Sequence, residues 1–240
     1  MQTVTYNQRR SELRTYFDCT AVEAWKRLTS DAPVSRIRQT VRRGRDRMRC
    51  ELLNWMPQDL RGVRILDAGC GTGALAFEVA CRGGDVVAID LAETLVNLAR
   101  DRVENLRQGL SSTKGYGSVS FRVGDMLDPH LGHFDYVVAM DSLIHYKTAD
   151  MVGMLARLSS SVHRSILFTF APRTPSLTHM LTVGRFFPRR DRAPAIEPVD
   201  VYNLRRHLTS EPAFSSMQEG RTFRIDSGFY VSSAMELTRQ

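Results

Sequence analysis

Cysteine is scarce in this chain, and the little there is carries no pattern. Cys19, Cys50, Cys70 and Cys81 show no C-x-x-C spacing and no histidine at metal-ligand spacing. That argues against a zinc site or a disulfide frame and for reduced thiols in a cytoplasmic compartment. Long apolar runs are missing too: none approaches the roughly 20 residues that span a bilayer. The polar start Met1-Gln2-Thr3-Val4-Thr5-Tyr6 offers no apolar core of a secretory signal. A soluble, cytoplasmic protein is expected, free to visit a membrane surface. Acidic charge is in deficit, with 26 Asp and Glu against 33 Lys and Arg. The remaining composition, 42% hydrophobic and 25% charged over 240 residues, is that of one globular domain with appendages and a sizeable core.

The excess basic charge is concentrated. Arg36, Arg38, Arg42, Arg43, Arg45, Arg47 and Arg49 follow one another with only Asp46 against them. On one helix they would attract an anion: membrane lipid, nucleic acid, an acidic protein or a substrate carboxylate. A merely solvated helix face is the plain alternative. Lysine and interleaved aromatics, which single-stranded nucleic acid binding favours, are absent from the run, so no nucleic acid partner is expected.

The most informative stretch is Val63-Arg64-Ile65-Leu66-Asp67-Ala68-Gly69-Cys70-Gly71-Thr72-Gly73. An apolar strand ends in an acid, and a loop with glycine at every second position opens a helix. Such a loop lets a ligand approach bare backbone, and the helix N-terminus offers free N–H groups. Gly69-x-Gly71-x-x-Ala74 also satisfies the permissive dinucleotide fingerprint, with Asp90 placed for a ribose. Asp67 tilts the balance: its charge would repel a pyrophosphate but suits an ammonium, such as the methionyl end of S-adenosylmethionine. Further on, Gly124-Asp125-Met126 follows a third strand, where Asp125 can accept from an adenine amino group while Met126 packs on the ring. A fourth strand, Phe134 to Met140, ends at Asp141 on the same edge. Asp67, Gly69, Gly71, Gly73, Asp90, Leu91, Asp125, Met126 and Met140 are the expected cofactor residues. In this order the motifs, over Arg61 to Tyr146, resemble the class I S-adenosylmethionine-dependent methyltransferases.

The wider pattern agrees. An amphipathic helix is expected over Leu13 to Leu28 with a break near Asp18 to Ala21, and a second from Pro33 to Trp55, stopped by Pro57. Strands at 63–67, 85–89, 119–123, 134–140 and 164–170 alternate with helices at 73–82, 92–106 and 151–159. A Pro- and Arg-rich insertion, about 171–198, would lie over the cofactor edge as a substrate lid, and carries a helix candidate at Leu177 to Val183. A helix at 200–208 precedes two strands joined at Asp226-Ser227-Gly228, a hairpin signal. The expected fold is α/β: a Rossmann-like class I methyltransferase with a seven-stranded, mostly parallel sheet, an antiparallel C-terminal hairpin and N-terminal helices. Residues 1–58 would form a helical arm for substrate docking, and 59–240 the cofactor-binding domain.

The segment after the fourth strand, Asp141-Ser142-Leu143-Ile144-His145-Tyr146, lacks the Asn/Asp-Pro-Pro-aromatic signature of amino-methylating DNA enzymes. With Tyr16-Phe17-Asp18-x-Thr20, Trp25, Val34-Ser35-Arg36-Ile37-Arg38 and the glycine loop, it is similar to the magnesium protoporphyrin IX O-methyltransferase family, in the form of bacteriochlorophyll-making bacteria. The resemblance spans most of the chain. It implies methyl transfer from S-adenosylmethionine to a propionate of magnesium protoporphyrin IX, giving the 13-monomethyl ester and S-adenosylhomocysteine, with magnesium present only within the substrate. Relatives from oxygenic phototrophs would carry a tyrosine a few residues after the tryptophan; this chain has Leu28-Thr29, leaving Tyr16 or Tyr146 to substitute.

A propionate is ionised above pH ~4 and needs no base to attack a sulfonium methyl. Alignment of oxygen, methyl and sulfur then supplies much of the acceleration, and His145 is expected to hydrogen-bond and orient the carboxylate. A bidentate arginine on the reacting group would over-stabilise the ground state. Arginines of the N-terminal helix, Arg38 among them, or of 185–192 would instead hold the second propionate. Tyr16, Phe17, Trp25, Leu177, Met180, Leu181, Phe186 and Phe187 are candidate walls for the flat macrocycle. Two rivals remain: an enzyme for another small apolar acceptor such as a quinone precursor, and a non-catalytic S-adenosylmethionine sensor. A magnesium chelatase subunit or the chromatophore membrane surface would each suit the arginine helix.

Overall fold

The computed structural model describes residues 4–19, 36–112, 114–174 and 195–240. Helices α1 (Val4–Cys19) and α2 (Arg36–Asn54) come first. The alternating part follows: β1 (Arg64–Ala68), α3 (Ala74–Cys81), β2 (Asp85–Asp90), α4 (Glu93–Gln108), β3 (Ser118–Val123), β4 (Phe134–Ala139), α5 (Thr148–Ser159) and β5 (Val162–Phe170). Then come α6 (Val201–Ser210), β6 (Met217–Ser227) and β7 (Tyr230–Arg239).

The strands form one seven-stranded sheet in the order β3-β2-β1-β4-β5-β7-β6. The first five are parallel, and β7 runs antiparallel between β5 and β6. Their sequences explain the arrangement. β1, β2, β4 and β5 are near-continuous apolar runs buried on both faces, as strands sandwiched between helices must be. The order in which strands are added reverses between the parallel neighbours β1 and β4, so the connections after these strands diverge and open a crevice at their carboxyl ends. Two apolar clusters fill the faces, one joining Tyr6 and Leu13 of α1 to α5 and α6, the other joining α2 and α3 to β7.

The hairpin turns at Gly228-Phe229, with Gly228 at φ +61°. This hairpin is the platform for α2. The ring of Tyr230 lies where any Cβ on Gly44 would sit, 2.5 Å from the nearest ring atom. Arg47 covers Phe223, and Arg221 stacks on Trp55, donates to its carbonyl and pairs with the buried Glu236.

α1 begins at Val4, about two turns before the expected start at Leu13. Its apolar contacts, Tyr6, Leu13 and Phe17, are too sparse among polar neighbours to show a helical period. The expected break coincides with the last described turn of α1. Trp25, Pro33 and most of the insertion, including Phe186 and Phe187, lie outside the described residues. The insertion's two ends are held together by a bridge between Pro172 and Val199.

Candidate cofactor and acceptor site

The glycine loop folds as it does because β1 ends beside β2. Gly69 N and Cys70 N both donate to Ile89 O, and Gly73 N to Cys70 O. Gly69 (φ +88°) crosses Ser142 so closely that a Cβ would stand 2.4 Å from the serine Cβ. Gly71 (φ +52°) has open space where its Cβ would be, which is the approach a ligand needs. Gly73 is enclosed instead. Its missing Cβ makes room for Phe121 and Ala99, and it lines neither of the cavities described below.

Three carboxylates converge on the loop. Asp67 is buried, and its Oδ2 has no hydrogen-bond partner among the described residues. Burial raises its carboxyl to about 7, helped by the charge of Asp90 and opposed by the Ala76 N–H. An orphaned oxygen beside an open loop fits an incoming ammonium, the group the sequence assigned to it. Asp90 accepts from Gly71 N (2.9 Å) and Ala92 N (3.0 Å), so it shapes the loop. Asp125 is engaged from an unexpected side: Tyr6 Oη (2.7 Å) and Leu127 N (2.9 Å) donate to Oδ1, and Arg10 to Oδ2. Burial alone would raise Asp125, but these donors pull it below the usual carboxylate range.

Two cavities meet at Arg45, Gly69 and Met140. The first, about 80 Å³, is largely apolar: Leu13 and Phe17 of α1 face Leu91, Leu95 and Met126, with His145 and Tyr146 at one side. The second, about 210 Å³, is basic, with Arg42, Arg45 and Arg49 on one face of α2 opposite Asp67, Thr72 and Arg102. Arg38 is exposed and lines neither cavity, so the arginines facing inward are the next ones along α2.

His145 is 8% exposed and ends the short turn Leu143–His145. Its Nδ1 lies 3.2 Å from Ala195 O. A carbonyl only accepts, so Nδ1 carries the proton and Nε2 the lone pair. Burial lowers the ring to about 4, against the Ala195 hydrogen bond, so it is neutral near pH 7. A neutral ring of this tautomer presents Nε2 as an acceptor, so in this form a hydrogen bond between His145 and a propionate needs the carboxyl group to bring the proton. Tyr146 is buried and stacked on Tyr6 at 5.5 Å. Tyr16 is set back, edge-on to Phe17 at 5.2 Å.

Asp141, between the cavities, escaped the sequence reading. It is the one non-glycine with positive φ (56°) among the described residues. Tyr230 Oη donates to both its oxygens (3.0 and 3.2 Å), its own N–H donates to Thr169 Oγ1 (2.7 Å), and Arg45 Nε lies 3.4 Å away. The strain is thus held by contacts from α2, β5 and β7. An acid closing a strand was a visible signal; its partners were not.

Comparison with known proteins fits this geometry. A family model described as magnesium-protoporphyrin IX methyltransferase C-terminus matches residues 139–239, and a methyltransferase-domain model matches 65–164. The magnesium-protoporphyrin O-methyltransferase of Rhodobacter capsulatus is 46% identical, over 96% of this chain and 97% of its own. The chain belongs to the magnesium-protoporphyrin O-methyltransferase family. A family member from Synechocystis is 28% identical over 95% of each chain. The crystal structure of a Synechocystis magnesium protoporphyrin IX methyltransferase with bound SAH superposes with a TM-score of 0.78 at 26% identity, over 96% of this chain and all of that one. These likenesses to the family cover the N-terminal helices as well as the sheet.

Proposed function

We propose that this protein transfers a methyl group from S-adenosylmethionine to a propionate of magnesium protoporphyrin IX, forming the 13-monomethyl ester in bacteriochlorophyll synthesis. The observation that carries the reading is the pair of joined cavities at the β1/β4 crevice, with an orphaned acid at one end and a neutral histidine at the other. Residues 59–240 would hold the cofactor, with its amino-acid end between Asp67 and the α2 arginines. Asp90 and Leu91 would take the ribose, and Asp125, Met126 and Met140 the adenosine side. When bound, the cofactor supplies the electrophilic methyl. The arm, 1–58, would close over the acceptor.

His145 would act as acceptor of the propionic acid proton. A dry, apolar cavity raises a carboxylic acid above its value in water, so the acid arrives protonated and its O–H points at the Nε2 lone pair. As an oxygen takes the methyl and the carbon–sulfur bond breaks, that proton would pass to Nε2; the products would be a neutral ester, neutral S-adenosylhomocysteine and an imidazolium, which returns its proton to water. Tyr146, fixed by stacking, would shape the acceptor wall, and Tyr16, Trp25, Phe186 and Phe187 are the further candidates for it.

The arginine helix suits an anionic partner: a magnesium chelatase subunit handing over the substrate, or an anionic chromatophore surface visited from the cytoplasm. Among the described residues no helix is long and apolar enough to cross a membrane. The deciding experiment mixes purified protein, S-adenosylmethionine and magnesium protoporphyrin IX, with a quinone precursor as competing acceptor. Monoester formation is expected. A folded, cofactor-binding protein that makes none, or prefers the quinone precursor, overturns the reading.

A further inference from the structure

One arginine ties three separate segments together beside His145. Arg9, on α1, uses every nitrogen of its guanidinium: Nε donates to His145 O (2.9 Å), one terminal nitrogen to Ala195 O (2.6 Å), and the other to Glu12 (3.1 Å). Ala195 O is the same atom that accepts from His145 Nδ1 at 3.2 Å. Ala195 is itself exposed and outside any helix or strand. Besides Arg9 and the ring, what anchors this stretch to the turn is the bond from Glu197 N to Ile144 O (2.8 Å). Arg9 grips both ends of the contact: the backbone that carries the ring and the carbonyl that receives its proton.

We propose that Arg9 is a positioning residue for His145, fixing its tautomer by clamping the Ala195 carbonyl against Nδ1. The inference deepens the reading of His145 given above and rests on it for its catalytic meaning, though not for its geometry. The tautomer of a neutral imidazole is set by the hydrogen bond that one nitrogen makes. A neutral ring in water favours the proton on Nε2. Here the fixed carbonyl selects the opposite form and leaves the Nε2 lone pair available. Because the clamp comes from α1, the ring is set only when the arm is seated. Docking of the arm and readiness of the acceptor group are one event.

The tautomer can be read without any reaction. Long-range ¹H–¹⁵N spectra of protein labelled at histidine, recorded near pH 7, should show His145 with Nδ1 protonated. In Arg9→Ala the signals should move toward the Nε2-protonated form, and in Arg9→Lys, which keeps one donor, only part of the way. Arg10→Ala is the control: it loosens the arm at Asp125 without touching His145 or Ala195, and should leave the tautomer in place. In turnover with magnesium protoporphyrin IX, Arg9→Ala should lose roughly tenfold or more in kcat, with KM for S-adenosylmethionine changed little and partial rescue in Arg9→Lys. An unchanged tautomer in Arg9→Ala overturns the proposal, and so does an equal change in Arg10→Ala, which would make the effect one of general arm docking. Full turnover in His145→Ala would remove the catalytic reading of the ring and leave the tautomer result standing, so the two failures are distinguishable.

Discussion

Asp67 and His145 face the same crevice with pH linkages of opposite sign, and separating the two tests the electrostatics of the site directly. Burial holds His145 at about 4, below its ordinary 6.5. Between those values the folded protein binds fewer protons than the unfolded chain, so its contribution is complete above pH ~6.5 and lost as pH falls toward ~4. Burial and the charge of Asp90 raise Asp67 to about 7 from 3.8. Here the folded protein keeps the extra proton, so the contribution is complete below pH ~4 and lost as pH rises through ~7. From pH ~7 to ~5 each group changes stability by about 2 kcal/mol, in opposite directions, and in cofactor-free protein the two nearly cancel. Urea denaturation of His145→Gln and Asp67→Asn across this range, each against wild type, should pull them apart. As pH falls, the stability difference (variant minus wild type) rises by about 2 kcal/mol for His145→Gln and falls by about 2 kcal/mol for Asp67→Asn. Flat differences for both would refute the assignment of a neutral buried histidine and a protonated buried aspartate.

Three further outcomes are expected. A ligand ammonium beside Asp67 favours its ionised form, so S-adenosylhomocysteine should bind about tenfold more weakly for each pH unit below ~7, a slope that calorimetry should find flattened in Asp67→Asn. Gly69→Ala combines a left-handed backbone, about 1–2 kcal/mol, with a clash on Ser142 worth about 1–3 kcal/mol, and should lower thermal stability and cofactor affinity together; wild-type values for both would contradict the packing described. Tyr230→Phe strips Asp141 of its hydroxyl donor and should cost about 1.5–3 kcal/mol in denaturant unfolding; wild-type stability would contradict the hydrogen bonds described.

The parallel half of the fold was legible because each strand is an apolar run closed by an acid or a turn, and the site residues nearest the strand ends came with it. Asp67, Gly69, Gly71, Asp90, Met126 and Met140, expected at strand ends, all line one or other of the two joined cavities. What stayed hidden depends on pairs far apart in sequence. Tyr6 and Arg10 on Asp125 join residues 119 and 115 positions apart, and Tyr230 on Asp141 spans 89. No local pattern announces such contacts, and the polar faces that make them read as solvated helix. The packing around Gly73 was hidden for a related reason: the loop motif does not say which glycine stands in open space and which lies against a phenylalanine.

Seating α2 on the C-terminal hairpin has a consequence for how the protein is made. The arginine helix leaves the ribosome well before the hairpin, yet Gly44 rests on Tyr230, and Trp55 is held by Arg221, 166 residues later. Since domains fold as units and loop closure over such separations comes late, the helix has no seat until nearly the whole chain has been synthesised. The basic cavity is therefore the last part of the site to assemble, and a chain cut short before the hairpin would carry the complete glycine loop with no arginine wall facing it.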